Sequence, residues 1–284
     1  MSGAAWPAPA KLNLFLHVVG RRPDGYHELQ TLFQLVDLAD ELRVDVRTDG
    51  EIRRIGGPAG VAAEQDLVVR AARLLKQSSG SPLGADLALT KRIPLGGGLG
   101  GGSSDAATTL AALNALWRTG ASADDLARLG LALGADVPVF LLGHSAWAEG
   151  VGERLMAMDL PPRWYAIVRP PVAVSTAEVF QAPELTRNSP RTTIRGFLEA
   201  GGRNDCEPVV AARYPEVRDA LDRLGRFGPA RLTGTGSCVF AAFDRVGDAE
   251  AAIAGLPAGW LGFAVRGLDR SPLLDRLEAG RPGR

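Results

Sequence analysis

One stretch constrains this chain more than any other: Ile93-Pro94-Leu95-Gly96-Gly97-Gly98-Leu99-Gly100-Gly101-Gly102-Ser103-Ser104-Asp105, in which six of the seven positions from 96 to 102 are glycine. It follows a strand-like run at 86–93 and leads into an apolar helical run from about Ser104 to Trp117. A flexible linker does not usually sit between a strand and a helix. Backbone without side chains can approach a polyphosphate closely and turn its N–H groups towards the oxygens. Ser103 and Ser104 add hydroxyls placed to cap the following helix, whose positive end would face the phosphates. Gly96, Gly98 and Gly101 also satisfy G-x-G-x-x-G. A dinucleotide fold, however, needs a second strand after the helix and an acid about 20 residues on. Here 123–133 reads as another helix, with Asp124 and Asp125 at its start. No Gly-Lys-Ser/Thr follows the loop, so it is not a Walker A segment.

Five further segments carry chemistry. Residues 8–19 alternate as a strand that places Lys11 and Asn13 on one face, a cation and an amide able to hold a hydroxyl or a phosphate. Leu133-Gly134-Ala135-Asp136-Val137-Pro138-Val139-Phe140 sets one acid in apolar surroundings, where charged groups are paired or functional. A carboxylate brought next to Lys11 could accept a hydroxyl proton. Gly25-Tyr26-His27, and Thr176 with Phe180 in the run 174–180, offer rings and polar groups suited to a nucleobase. Taken singly, Lys11 reads first as part of a solvated face and the rings as ordinary core, while Asp136 reads equally well as a turn or helix-terminal residue. Leu232-Thr233-Gly234-Thr235-Gly236-Ser237-Cys238 is a second glycine turn, either a hairpin or another wall of a phosphate site.

Around these segments, strands are expected at 29–36, 41–47, 164–168, 231–233, 237–243 and 260–266, with extended chain at 145–158. Helices are expected at 67–77, with Asp66 as N-cap, and near 176–180, 192–200, 215–224 and 249–256. The alternation is irregular, which favours an α+β architecture over a doubly wound sheet. A length of 284 residues suggests two domains. The break falls near Asp159–Pro162, giving 1–158 and 159–284, with 281–284 read as a frayed tail.

Composition removes several classes. Thirty-two basic residues balance 32 acidic ones, so bulk nucleic-acid binding is not expected. No unbroken apolar run is long enough for a membrane span, and the first nine residues lack the pattern of a secretory signal. Cys206 and Cys238 form neither a disulfide framework nor a metal-ligand spacing, so a reducing cytoplasm is expected and no protein metal site is assigned. Only three of the basic residues are lysine, Lys11, Lys76 and Lys91. A lysine kept against so strong an arginine bias is a candidate for a specific task.

The segments at 9–13, 94–104 and 232–237 together resemble the three motifs of the GHMP kinase superfamily: a Pro-Ala-Lys strand, a glycine-rich phosphate loop and a late glycine turn. Arg22-Pro-Asp-Gly-Tyr-His27, Gly134-Ala-Asp-Val-Pro-Val-Phe140 and Arg203-Asn-Asp-Cys-Glu207 extend the likeness over most of the chain. The resemblance implies a GHMP kinase-like two-domain α+β fold, each domain a sheet packed with helices, with the active site between them. It implies transfer of a phosphoryl group from ATP, with Mg²⁺, to an alcohol of a cytidine diphosphate sugar-alcohol derivative in the non-mevalonate route to isoprenoid precursors. Asp136 matches the acid-base position and Lys11 its partner. Pro94, Leu95, Gly96, Gly97, Gly98, Leu99, Gly100, Gly101, Gly102, Ser103 and Ser104 match the ATP phosphate loop. Asn13 and Thr176 match substrate-lining positions, Tyr26 and Phe180 the rings that stack on cytosine, and His27 the reader of its edge. Asp66 stands near the adenine pocket, where the family often has Asn. The implied enzyme is a cytoplasmic monomer or weak homodimer acting on small molecules. Mevalonate-type or homoserine-type kinases are the nearest alternative, and a dinucleotide-dependent oxidoreductase a more distant one.

Overall fold

A computed structural model describes residues 5–23, 25–57 and 60–280. Asp24, in the predicted turn before Tyr26, and the predicted tail at 281–284 lie outside the described residues. The chain opens with two long antiparallel strands, β1 (Trp6–Arg21) and β2 (His27–Arg47). Strand β3 (Ile52–Gly56), helix α1 (Leu67–Ser79) and strand β4 (Gly84–Thr90) follow. Asp66 caps α1 as expected, its side chain accepting from the Val68 N–H. The glycine loop then leads into α2 (Gly101–Trp117), α3 (Ala123–Leu133) and the short α4 (Val137–Leu142). Strands β5 (Ala146–Gly150) and β6 (Arg154–Ala157) form a hairpin.

The second half runs β7 (Trp164–Arg169), α5 (Thr176–Gln181), α6 (Ile194–Ala200), α7 (Glu207–Arg213) and α8 (Pro215–Gly225). It closes with β8 (Ala230–Leu232), β9 (Val239–Phe243), α9 (Val246–Ile253), β10 (Leu261–Leu268) and α10 (Pro272–Ala279). The strands join in the order β3-β4-β2-β10-β7-β9-β8, with β1 and β5 also on β2 and β6 on β5. The pairs Gly267 with Val36 and Leu268 with Leu35 join β10 to β2 and so tie the two halves of this sheet together.

Two large cores lie on either side of that tie. One packs α1 and α2 against β2 and β4 through Leu42, Leu75, Leu87 and Leu110. The other packs α7 and α8 against β7 and β9 through Val168, Val210, Leu224 and Val239. The division is not a clean cut along the chain. Leu16 and Val18 of β1 enter the second core, and Leu273 of α10 returns to the first.

The two strands expected at 29–36 and 41–47 are one continuous β2. The polar Asp37 and Asp40, which lie between the two expected strands, are satisfied where they stand. Asp37 accepts from the Arg266 N–H, and Asp40 accepts from the N–H groups of Arg92 and Ile93. The register shift opposite Pro9 and Ala10 absorbs the irregularity as a bulge. Helix α4 was not expected from the sequence. Its Pro138 sits in the first turn, where no N–H is needed, and Gly143 ends it in the left-handed region.

Candidate active site

The glycine loop is a packed structure, and its packing decides which backbone groups remain free. The carbonyl of Leu99 accepts from the Lys11 N–H, those of Gly96 and Gly97 accept from Ser237 and Cys238, and that of Gly98 accepts from Lys11 Nζ at 3.0 Å. The N–H groups of Gly98 to Ser103 donate to no backbone acceptor among the described residues. Carbonyls turned into the protein and amides turned out make an anion cradle. Two positions show why glycine is required. A side chain at Gly98, where φ is +74°, would place its Cβ 2.2 Å from the Thr233 carbonyl oxygen; one at Gly100, where φ is +72°, would meet the Phe140 ring at 2.8 Å. The second glycine turn is therefore the wall on which the loop rests.

The serines act differently from the sequence expectation. Gly100, not a serine, occupies the N-cap of α2 and makes no side-chain cap. The helix starts earlier than its apolar pattern because Gly101 and Gly102 join its first turn. Ser104 Oγ is thereby buried beside the open N-terminus with no hydrogen-bond partner, as is Ser237 Oγ in the facing turn. Buried unpaired hydroxyls next to unpaired amides fit an anionic ligand.

The strand-borne cation lies where the loop ends. Lys11 is 2% exposed, and its Nζ donates to Asn13 Oδ1 at 2.5 Å and stands 3.2 Å from Asp136 Oδ2. Strand alternation puts Lys11 and Asn13 on one face of β1, where Lys11 reaches the Gly98 carbonyl and Asn13 reaches Thr233. Asp136 holds the N-cap position of α4, yet its carboxylate makes no cap hydrogen bond and is about one-third exposed. It is thus free to meet a ligand. Asn13 is nearly fully buried, with its amide on Lys11 and on Thr31 Oγ1 at 2.9 Å and its own N–H on Thr233 Oγ1 at 3.0 Å. In this position it steers the ammonium.

Beneath the loop is a cluster that sequence reasoning missed. Lys91 Nζ pairs with Asp105 Oδ2 at 2.7 Å and with Asp40. Burial, ahead of the opposing pull of Lys91, pushes the Asp105 carboxyl up to about 7. The retained lysines were the available signal. Lys91 braces the loop, Lys11 enters the cleft, and Lys76 binds the carbonyls of Gly50 and Leu83 at 2.7 and 2.8 Å. A compact ammonium suits each of these crowded places better than a planar fork.

A cavity of about 610 Å³ runs from Ala135, next to Asp136, to His27, Thr176 and Phe180. His27 and Phe180 stack on each other, with centroids 5.0 Å apart and planes at 24°. One face of Phe180 is thus already covered, and a base would use the other. Tyr26 also lines this cavity and is largely exposed. Thr176 Oγ1 lies 2.8 Å from Thr235 Oγ1, joining the start of α5 to the second glycine turn. Arg187, unnoticed in the sequence, donates to His27 Nε2 at 3.1 Å. Asp66 lies apart from this cavity, held by Arg54 at 2.9 Å and by its capping bond.

The order of elements excludes a dinucleotide fold, since α2 is followed by α3 and not by a parallel strand. Loop amides without backbone partners, set near an ammonium ion-paired with a part-exposed carboxylate and next to a cavity, fit an ATP-dependent small-molecule kinase. The sequence matches the family models of the GHMP kinases N terminal domain over residues 66–144 and of the GHMP kinases C terminal region over 184–260. The chain belongs to the GHMP kinases.

Its relatives include the 4-diphosphocytidyl-2-C-methyl-D-erythritol kinase of Alkalilimnicola ehrlichii, 61% identical over 96% of this chain and 94% of the relative. The protein of the same description from Nitrosococcus oceani is 58% identical, over 96% and 98%. A crystal structure of a 4-(cytidine 5'-diphospho)-2C-methyl-D-erythritol kinase superposes with a TM-score of 0.81 at 38% identity, covering 93% of this chain and all of that one. The mevalonate kinase of Methanococcus jannaschii, at 16% identity, TM-score 0.68 and coverage of 94% and 99%, shares the fold. Among the described residues, no helix is long and apolar enough to cross a membrane.

Proposed function

We propose that this enzyme phosphorylates the 2-hydroxyl of 4-diphosphocytidyl-2-C-methyl-D-erythritol with ATP, a step of the non-mevalonate route to isoprenoid precursors. The observation that carries the reading is the continuity of the cavity: Ala135, beside the part-exposed carboxylate of Asp136, lines the same space as His27 and Phe180. A substrate with an alcohol at one end and a pyrimidine at the other fits that layout. Mevalonate and homoserine carry no base for the rings to hold.

In the proposed mechanism the amides of Gly98 to Ser103 hold the phosphate tail of ATP, aiming the γ-phosphorus at the alcohol. Phosphoryl transfer asks the protein mainly for such positioning and for charge stabilisation. Asp136 accepts or orients the hydroxyl proton, the alcohol oxygen bonds to the γ-phosphorus, and the bond to the β-phosphate oxygen breaks to release ADP. Lys11, held by Asn13, stabilises charge around the attacking oxygen. Thr176 lines the substrate path, and Tyr26 and Phe180 hold the cytosine.

Mg²⁺ fits this reading. Among the described residues, no group of three His, Cys, Asp or Glu side chains could hold a metal by itself. A nucleotide-borne Mg²⁺ takes most of its ligands from phosphate and water, however, and needs little from the protein. Ser104, with its buried unpartnered hydroxyl, is the residue that would touch it. When bound it would neutralise phosphate charge.

The same reading takes 1–158 as the ATP-binding domain and 159–284 as its C-terminal companion, supported by the two separate cores. It places the enzyme in the cytoplasm, consistent with the free thiols of Cys206 and Cys238, and takes it to act on small molecules as a monomer or weak homodimer. The test is ATP consumption with three acceptors: the cytidyl substrate, mevalonate and homoserine. Turnover confined to the first is expected. Comparable turnover of either of the others overturns the substrate assignment.

A further inference from the structure

The segment Arg203-Asn-Asp-Cys-Glu207 lies between β1 and the second glycine turn and grips both. On one side it holds the strand that carries Lys11 and Asn13. The Leu16 N–H donates to the Arg203 carbonyl at 2.9 Å, and the Asp205 N–H donates to the Leu16 carbonyl at 2.8 Å. Asp205 Oδ2 accepts from the Val18 N–H at 2.8 Å. On the other side it holds the turn. Glu207 Oε2 accepts from the Leu232 N–H at 2.7 Å. Asn204 Nδ2 donates to the carbonyls of Leu232 at 2.9 Å and Gly234 at 2.7 Å.

Asn204 is 2% exposed, and its carboxamide is fully used. Both hydrogens of Nδ2 go to the two turn carbonyls, while Oδ1 accepts from the Cys206 N–H at 2.9 Å. Those carbonyls flank Thr233, the residue through which the turn meets the rest of the site. Thr233 Oγ1 accepts from the Asn13 N–H at 3.0 Å, and its carbonyl oxygen is the atom that a side chain at Gly98 would strike. Gly234 also lies against the phosphate loop, since a Cβ there would come within 3.2 Å of the Gly98 carbonyl oxygen. A side chain without two donors at position 204 leaves a buried carbonyl unpaired, and the turn gains a reason to shift.

We propose that Asn204 is a positioning residue for phosphoryl transfer: by holding the carbonyls on either side of Thr233 it sets the second glycine turn against β1, and so fixes the phosphate loop relative to Lys11. This rests on the kinase reading above and not on the identity of the acceptor. Asn204 does not line the cavity of His27 and Phe180, so its effect travels through the backbone of the turn. The same clamp joins the two cores, because β1 and the turn are held by one short segment.

The test compares wild type with Asn204→Asp, Asn204→Ser and Val217→Ala. The first keeps the shape and turns an acceptor on both carbonyls; the second keeps one donor. Val217 is fully buried in the same core, on α8, and takes no part in the clamp, so its truncation controls for lost stability. ATP affinity is measured by titration, kcat and KM with the cytidyl substrate, and Tm by thermal unfolding. Asn204→Asp should lower kcat by about ten- to a hundredfold, the scale of a small misplacement of reacting groups. It should weaken ATP binding about tenfold, as for one lost hydrogen bond. The KM of the cytidyl substrate should hold, because His27 and Phe180 are held by Arg187 and by each other. Asn204→Ser should fall between wild type and Asn204→Asp, and it decides the matter if Asn204→Asp does not fold. Val217→Ala should lower Tm and leave kcat and ATP affinity unchanged. The proposal is overturned if the Asn204 variants keep wild-type kcat and ATP affinity, or if Val217→Ala shares their losses at equal Tm. A change confined to the KM of the cytidyl substrate overturns it too. If wild type does not turn over that substrate while Asn204→Asp still binds ATP more weakly, the acceptor assignment fails and the positioning role stands.

Discussion

Lys11 Nζ stands 3.2 Å from Asp136 Oδ2, although one side chain rises from a bulged strand and the other from the cap position of a short helix. The two meet because both elements close around the glycine loop. Lys11 donates its backbone N–H to Leu99 and its ammonium to the Gly98 carbonyl, and Phe140, one turn into α4, packs against Gly100. The pair is thus positioned by the same contacts that shape the glycine loop.

Replacing the carboxylate tests the chemistry directly. Asp136 makes no cap hydrogen bond, so Asp136→Asn should fold normally. Its kcat should fall by about 10²- to 10⁴-fold, the usual contribution of a general base. ATP affinity, measured by titration, should be unchanged. Wild-type turnover by this variant would remove Asp136 from the mechanism.

Asn13→Ala probes the orientation of the ammonium. The change leaves Thr31 Oγ1 and Lys11 Nζ each short of a partner in a buried place, costing about 1–3 kcal/mol of stability. Because Lys11 would then wander, kcat should drop by up to about a hundredfold, with a smaller change in KM for either substrate. A change confined to the KM of the alcohol substrate would point instead to direct contact by Asn13.

Phe180→Ala should separate the two substrates. Loss of one aromatic face on a base removes about 1–3 kcal/mol, raising the KM of the cytidyl substrate roughly tenfold or more. The KM of ATP should hardly move. Equal effects on both would argue against a base-stacking pocket around His27 and Phe180.

The glycine requirement is sharpest at Gly98. Gly98→Ala forces a Cβ against the Thr233 carbonyl in a left-handed backbone, so the loop must shift. Thermal unfolding should show a loss of at least about 1–3 kcal/mol, and ATP binding should weaken with it. Gly96, whose added Cβ would meet nothing within 4 Å although its φ is +67°, should tolerate Asn better than Gly98 does. Equal tolerance at the two sites would show that packing against the second glycine turn is unimportant.

Asp105 predicts a pH dependence. Its folded value of about 7 exceeds the ordinary 3.8, so the native state binds the extra proton between those limits. This group's contribution to stability is therefore full at low pH and declines as pH rises towards 7. Asp105→Asn mimics the protonated acid. Its stability relative to wild type should improve steadily from about pH 4 to about pH 7, as followed by denaturant titration. A constant difference across that range would show that the carboxyl titrates as an ordinary acid.

Much of this was legible in the chain. The glycine run, the Lys11–Asn13 spacing and the lone acid in 133–140 each follow from local pattern, and the irregular order of strands and helices indicated α+β. What escaped was set by distant partners. Helix α4 depends on packing rather than on a long apolar period, and β2 continues through Asp37 and Asp40 because remote N–H groups satisfy them. Lys91 was suspect only as a retained lysine, and Arg187 looked like any of the many arginines.

Local sequence determined which residue types were available: bare backbone for phosphates, one ammonium, one carboxylate, and rings for a base. That is so because glycine content and side-chain alternation act over neighbours in the chain. Tertiary structure alone decided which of them meet. Only the close approach of the two glycine turns left the loop amides free and Ser104 unpartnered, and only the packing of Arg187 and Phe180 on His27 fixed how that imidazole is held. Hydrogen-bond direction between residues far apart in sequence is a property of packing, and no local pattern encodes it.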